Sequence, residues 1–134
     1  MRKLIFIDTG FVIGLIYEQD QYHQQAINLS IKYEQYSFIT TNAVLLELGN
    51  PVVRHSKPKA IKIIEDFYTS DNVNIINLTT QLFEEAFNLY KQYEDKTWGL
   101  VDCLSFIIMW KLNINKVLTF DKHFSQAGFN ILTE

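Results

Sequence analysis

Leu4-Ile5-Phe6-Ile7, followed at once by Asp8-Thr9-Gly10, is the stretch on which the reading of this chain turns. A strand with one solvated face alternates apolar and polar residues. Four apolar residues in a row instead mark a strand buried on both faces, as in a parallel sheet covered by helices. Leu4–Ile7 is therefore expected to be the central strand. Asp8-Thr9-Gly10 then turns the chain into a short helix over residues 11–17, whose free N–H groups Asp8 or Thr9 is placed to cap.

Working outward, helical spacing returns over residues 22–33, where Ala26, Ile27 and Ile31 recur, and Ser37-Phe38-Ile39-Thr40 reads as a second strand. Residues 42–48 read as a helix. The segment from Asn50-Pro51 to Pro58 interrupts regular structure before another helix over residues 59–68. Val73-Asn74-Ile75-Ile76 makes a third strand. Residues 79–93 form an amphipathic helix, with Leu82, Ala86, Leu89 and Tyr93 on one stripe and Glu84, Glu85, Asn88, Lys91 and Gln92 opposite. After a polar loop over 94–99, residues 100–112 are apolar around most of the circumference, the pattern of a buried helix. Lys116-Val117-Leu118-Thr119 is a fourth strand, residues 121–127 a short helix ended by Gly128, and residues 129–132 a last edge strand. Strands alternating with helices define the class as α/β, a three-layer α/β/α sandwich around a central, mostly parallel sheet of four to five strands.

The totals bound what such a fold can do. At 134 residues and 48% hydrophobic composition, the chain suits a single domain over residues 1–134. Twelve Lys and Arg against fifteen Asp and Glu give a net charge of -3, which excludes a globally basic nucleic-acid binder. Any nucleic-acid contact must rest on local patches or on metal. Cys103 is the single cysteine, so neither a disulfide framework nor a cysteine zinc site is available, and a reducing cytoplasm is the expected compartment. Asp8 interrupts the N-terminal apolar run before signal-peptide length, and no run long enough to span a bilayer is free of charge. A soluble protein without a membrane partner is expected.

In parallel α/β folds, ligands bind outside the carboxyl ends of the strands, so acidic residues just after strands carry the most information. Asp8 follows the first strand and Asp121 the fourth, while Glu47 lies in the helix after the second. Asp102 sits in the first turn of the otherwise apolar buried helix. Each has a bland explanation. Asp8 and Asp121 can cap the helices that follow them, Asp102 can answer the positive end of its helix dipole, and Glu47 can be a solvated surface group. Together they suggest more. All four can reach one edge of one sheet, and clustered carboxylates repel unless protons or cations intervene. Mg2+ or Mn2+ supplies that compensation through oxygen ligands alone. The chemistry that follows is phosphodiester hydrolysis, in which such an ion lowers the pKa of a water and neutralises phosphate oxygens.

These residues carry a resemblance. Asp8-Thr9 after an N-terminal strand, Glu47 in an early helix, Trp98-Gly99-Leu100-Val101-Asp102-Cys103-Leu104-Ser105-Phe106 opening a late helix, and Thr119-Phe120-Asp121-Lys122-His123-Phe124 together resemble the PIN-domain nucleases. The likeness spans nearly the whole chain and is greatest to the VapC-like toxins of toxin-antitoxin modules. It implies endoribonuclease activity on an RNA substrate, a homodimer, and a small protein antitoxin as partner. Carried over by position, Asp8, Glu47, Asp102 and Asp121 would bind Mg2+ or Mn2+, with Thr9 and Thr119 as nearby hydroxyl donors.

Other residues are weighed beside these. Ser105 shares a helix face with Asp102 and can orient a ligand or water, or bond its own helix backbone. Arg54, His55, Lys57, Lys59 and Lys62 form the densest basic stretch, with Arg54 and Lys57 as candidate RNA-phosphate contacts against the alternative of a solvated surface. Trp98, Tyr93 and Phe124 can stack on unpaired bases or belong to the core. The three histidines show no metal-ligand spacing and are given no role. Cys103 reads as a small buried hydrophobe. Among rival functions, a receiver domain would need an acceptor Asp after its middle strand, where Asn77-Leu78 stands. A haloacid-dehalogenase-type phosphatase would need an Asp where Gly10 stands. The more serious rival is a catalytically silent PIN fold acting as an interaction module.

Overall fold

The structure, a computed structural model, describes residues 3–50 and 57–134. Its elements run β1 (Leu4–Ile7), α1 (Thr9–Ile16), α2 (His23–Lys32), β2 (Ser37–Thr41), α3 (Asn42–Leu48), α4 (Lys57–Thr69), β3 (Val73–Ile76), α5 (Thr80–Gln92), α6 (Leu100–Lys111), β4 (Lys116–Leu118), α7 (His123–Gln126) and β5 (Asn130–Ile131). Every strand and helix expected from the sequence is present, with ends displaced by one or two residues. Arg54 and His55 of the basic stretch lie outside the described residues.

The five strands form one sheet in the order β3-β2-β1-β4-β5, and every pairing is parallel. Leu4–Ile7 is thus the middle strand. Its alternate side chains feed two separate cores, as the two-residue period of a strand requires. Ile5 and Ile7 pack with Phe11, Val12, Ala26, Leu29 and Phe67 under α1, α2 and α4. Phe6 packs the other way, with Leu89, Trp98, Leu104, Phe106 and Phe124 under α5, α6 and α7. Burial on both faces explains why the run is apolar throughout, since a polar residue there would lie unsatisfied in one core or the other.

The chain order locates the functional edge. From β1 the chain moves outward through β2 to β3, then returns through α5 and α6 to β4 on the opposite side of β1. The direction of winding therefore reverses between β1 and β4, where the connections leave a crevice at the strands' carboxyl ends. Asp8 follows β1 at that crevice, and its N–H donates to the Leu118 carbonyl at 3.1 Å, extending the ladder one residue beyond the strand. Because Ile7 pairs with Leu118, Asp8 comes to lie against Thr119.

Gly14 and Gly128 each meet a backbone need. A Cβ on Gly14 would stand 3.2 Å from the Ala26 Cβ and 3.3 Å from the Phe120 ring, so its bare Cα lets α1, α2 and the loop after β4 approach. Gly128 has φ +96, a left-handed conformation that ends the turn after α7.

Candidate active site

All four sequence-selected acids, Asp8, Glu47, Asp102 and Asp121, line one cleft of about 750 Å³, together with Thr9, Gly10, Ile13, Asp20, Tyr22, Phe120 and Lys122. Each acid arrives from a different element: the end of β1, the body of α3, the first turn of α6 and the loop after β4. α3 reaches the cleft because Thr41, at the end of β2, caps it by accepting the Val44 N–H at 3.2 Å. That cap turns the chain straight from strand to helix, with Leu45 and Leu48 buried and Glu47 left facing Thr9.

Asp8 is the most deeply placed, with only 6% of its surface exposed. Its side chain makes no cap bond to α1, although its position is that of the N-cap, so the capping explanation offered by the sequence is set aside. Instead its Oδ2 accepts the Thr119 hydroxyl at 2.7 Å. That same oxygen of Thr119 accepts the Asp121 N–H at 3.0 Å, tying the loop after β4 to the end of β1. Burial, opposed by the Thr119 hydrogen bond and reinforced by the nearby charges of Asp102 and Asp121, pushes the Asp8 carboxyl up to about 7.

The other three are held by shorter networks. Thr9 donates its hydroxyl to Glu47 Oε1 at 2.6 Å, so the threonine beside Asp8 orients the acid from α3. Asp102 Oδ2 accepts the Gly99 N–H at 3.1 Å, a local bond that answers the open end of α6 and agrees in part with its bland reading. Burial raises the Asp102 carboxyl, against the Gly99 and His123 hydrogen bonds, and the Asp121 charge raises it further. Asp121 does act locally, its Oδ1 accepting the His123 N–H at 2.9 Å at the start of α7.

His123, given no role from the sequence, stands among these acids. Its Nδ1 lies 3.1 Å from Asp102 Oδ2 and 3.1 Å from Asp121 Oδ2, while its Nε2 lies 3.0 Å from the Thr97 hydroxyl. The imidazole thus bridges the acid of α6 and the acid after β4, and one ligand atom from each of the three residues falls within 4.8 Å of the others. No sequence spacing announces this, because Asp102 and His123 meet only when α6 and α7 pack on the same face of the sheet. Asp20, Tyr22 and Phe120 were likewise missed as parts of the cleft wall.

Ser105 does not join the site. It is fully buried and donates to the Val101 carbonyl at 3.0 Å, the backbone alternative rather than the supporting role. Trp98 and Phe124 are core residues, in edge contact with Phe106 at 5.0 Å each, and Tyr93 leans on Trp98. Cys103 is buried, its thiol pushed up to about 11 by burial and by Asp102, as befits a packing residue. Lys57 is exposed at the start of α4, while Lys59 and Lys62 pair with Glu18 and Asp66.

The donor set suits a hard divalent cation. It consists of carboxylate oxygens with two threonine hydroxyls behind them, and among the described residues no Lys or Arg pairs with any of the four acids. Several carboxylates face one space, and among the described residues the His123 imidazole bridges two of them, so most of the compensating charge is left to come from elsewhere. The profile of the PIN domain family matches residues 5–130. The chain belongs to the PIN-domain family. Among similar proteins of known role, the 23S rRNA-specific endonuclease VapC20 of Mycobacterium tuberculosis is 29% identical over 126 residues, 94% of this chain and 95% of the relative. A VapC ribonuclease of Archaeoglobus fulgidus is 24% identical over 123 residues, 89% of this chain and 78% of the relative. The crystal structure of the Mycobacterium tuberculosis VapC20, described as a sarcin-ricin loop cleaving toxin, superposes with a TM-score of 0.87 at 28% identity, covering 97% of this chain and 99% of that chain.

Proposed function

We propose that this PIN domain is an endoribonuclease of the VapC kind, hydrolysing RNA phosphodiester bonds at the carboxylate cleft with Mg2+ or Mn2+. The observation that carries the reading is the convergence of Asp8, Glu47, Asp102 and Asp121 on one cleft at the switch point of the sheet. Family membership and the endonuclease relatives support it. Asp8, Asp102, Asp121 and Glu47 would hold the ion. When bound, such an ion lowers the pKa of a water and offsets the charge of the phosphate.

The chain's own residues have distinct tasks. Asp8, buried and fixed by Thr119, is a rigid anchor whose full ionisation depends on compensating charge. Thr9 turns Glu47 toward the cleft, and His123 sets the separation of Asp102 and Asp121. Catalysis then falls to a pre-arranged acidic pocket rather than to a side-chain nucleophile. Cys103 and Ser105, the nucleophile types of α6, are buried away from it.

The proposal extends to the biology that the resemblance to VapC-like toxins implies: a toxin restrained by a protein antitoxin, acting as a homodimer in the cytoplasm. Among the described residues no helix is long and apolar enough to cross a membrane. The test is cleavage of RNA by purified protein with Mg2+ or Mn2+, set against EDTA and against Asp8→Asn and Asp102→Asn. Cleavage that persists without metal, or in both variants, would reject the site. Failure to bind Mg2+ or Mn2+ would favour the silent interaction module.

A further inference from the structure

One wall of the cleft is not acidic. Tyr22 and Phe120 both line it, their rings parallel within 9° and their centroids 4.4 Å apart. Phe120 stands between Thr119 and Asp121, so the loop that orders two site residues also carries this ring. It is braced from behind by Phe11, at 6.1 Å between centroids, and by the close approach of α1 at Gly14. Tyr22 is set by the turn after α1: Asp20 Oδ2 accepts the Tyr22 N–H at 2.9 Å, and the Asp20 N–H donates to the Tyr17 carbonyl at 3.0 Å. Both rings remain only partly buried, unlike the core aromatics Phe6, Phe106 and Phe124.

We propose that Tyr22, backed by the Phe120 ring stacked beneath it, offers its outer face as a stacking wall for an unpaired nucleobase beside the phosphate to be cleaved. The inference rests on the ribonuclease reading and names how that site grips its substrate. The electrostatics of the cleft call for such a contact. Among the described residues its lining carries Asp8, Asp20, Glu47, Asp102 and Asp121 against Lys122, so this part of the surface repels a polyanion. Lys59 and Lys62, already paired with acids, line a different groove with Leu15, Ile16 and Ile63. Within the described cleft, attraction then comes from cations and from a contact that carries no charge. Stacking of a base on an aromatic ring supplies the second, tolerates any base, and survives salt better than phosphate contacts do. A base in a duplex cannot reach such a wall, so the substrate class is single-stranded or looped RNA with a base turned out.

The test uses the full chain with Mn2+ and two short single-stranded RNAs, one carrying 2-aminopurine at an internal position and the other abasic there. Fluorescence reports binding and stacking, and gel analysis reports cleavage. Tyr22→Leu keeps apolar packing on Phe120 but removes a π face; Tyr22→Phe keeps the face. The wild type should quench 2-aminopurine and bind the abasic RNA about tenfold more weakly. Tyr22→Leu should lose the quench, bind both RNAs alike, and raise KM about tenfold with kcat within about twofold. Tyr22→Phe should behave as wild type. Equal wild-type affinity for the two RNAs, or a Tyr22→Leu protein that still quenches, would overturn the wall. Quenching that depends on Tyr22 without any cleavage would uphold the wall while rejecting ribonuclease activity, and absence of both would reject the two together.

Discussion

Replacing Asp8 by Asn should stabilise the metal-free protein, and by an amount that depends on pH. The Asp8 carboxyl rises from an ordinary 3.8 to about 7 on folding, chiefly through burial. The folded state therefore holds a proton that the unfolded chain has released, and stability falls as pH climbs from about 4 through about 7, then levels off with the full cost in place. That rise corresponds to roughly 4 kcal/mol. Relaxation of the neighbouring acids should trim the measured value to about 2 to 4 kcal/mol. Asn carries no charge to bury, and its side-chain oxygen can still accept the Thr119 hydroxyl. In EDTA at about pH 8, urea unfolding of Asp8→Asn should give a free energy higher than wild type by that margin, a large fraction of the total stability of a small domain. At about pH 5 the margin should shrink to roughly a third, because the wild-type carboxyl is then protonated in the folded state. Millimolar Mg2+ should narrow the gap at high pH by stabilising only the wild type. A variant less stable than wild type at high pH, or a margin independent of pH, would refute the placement of a costly buried carboxylate at this position.

Three further outcomes follow from the same network. His123→Ala should lower Mn2+ affinity about tenfold or more by freeing Asp102 and Asp121 from their shared donor, and His123→Asn, which keeps an N–H near the Nδ1 position, should recover most of it in a calorimetric titration. Thr119→Val deletes the donor to Asp8 and the acceptor for the Asp121 N–H, which should cost about 1.5 to 3 kcal/mol and move the acidic limb of the activity profile to higher pH, with Thr119→Ser close to wild type. Charge reversal at Arg54 and Lys57 should weaken RNA binding and flatten its salt dependence by about 0.7 per lost phosphate contact; unchanged cleavage and salt dependence would remove this stretch from the RNA path.

How much of this could be read from the chain depends on how local each signal is. The Leu4–Ile7 run marks the middle strand by itself, because burial on two faces leaves no polar position to confuse the period. Asp102 stood out for the matching reason, as an acid at the head of a largely apolar helix that buries Cys103, Leu104, Phe106, Ile108 and Met109 and leaves Leu100 and Trp110 exposed. Glu47 was weaker, since half-burial and the Thr9 bond arise only when α3 folds against α1. The aromatic wall was invisible, for Tyr22 and Phe120 lie near opposite ends of the sequence and meet through the parallel β1–β4 pairing and the gap at Gly14. The sequence pointed instead to Trp98 and Phe124, whose aromatic character serves packing. Histidine spacing was equally uninformative, because His123 reaches Asp102 across an interface between α6 and α7. Local chemistry misled once in the other direction: Asp8 has the sequence position of a helix cap, yet the sheet register turns its carboxylate toward Thr119.

Titration of Mn2+ into wild type, Asp8→Asn and Asp102→Asn, with RNA cleavage measured on the same samples, tests most directly whether these acids form a metal-dependent nuclease site. Saturable binding by the wild type, weakened at least about tenfold in each variant together with loss of cleavage, is the predicted result. Wild type that takes up no Mn2+, or variants that bind and cleave as wild type does, would contradict it.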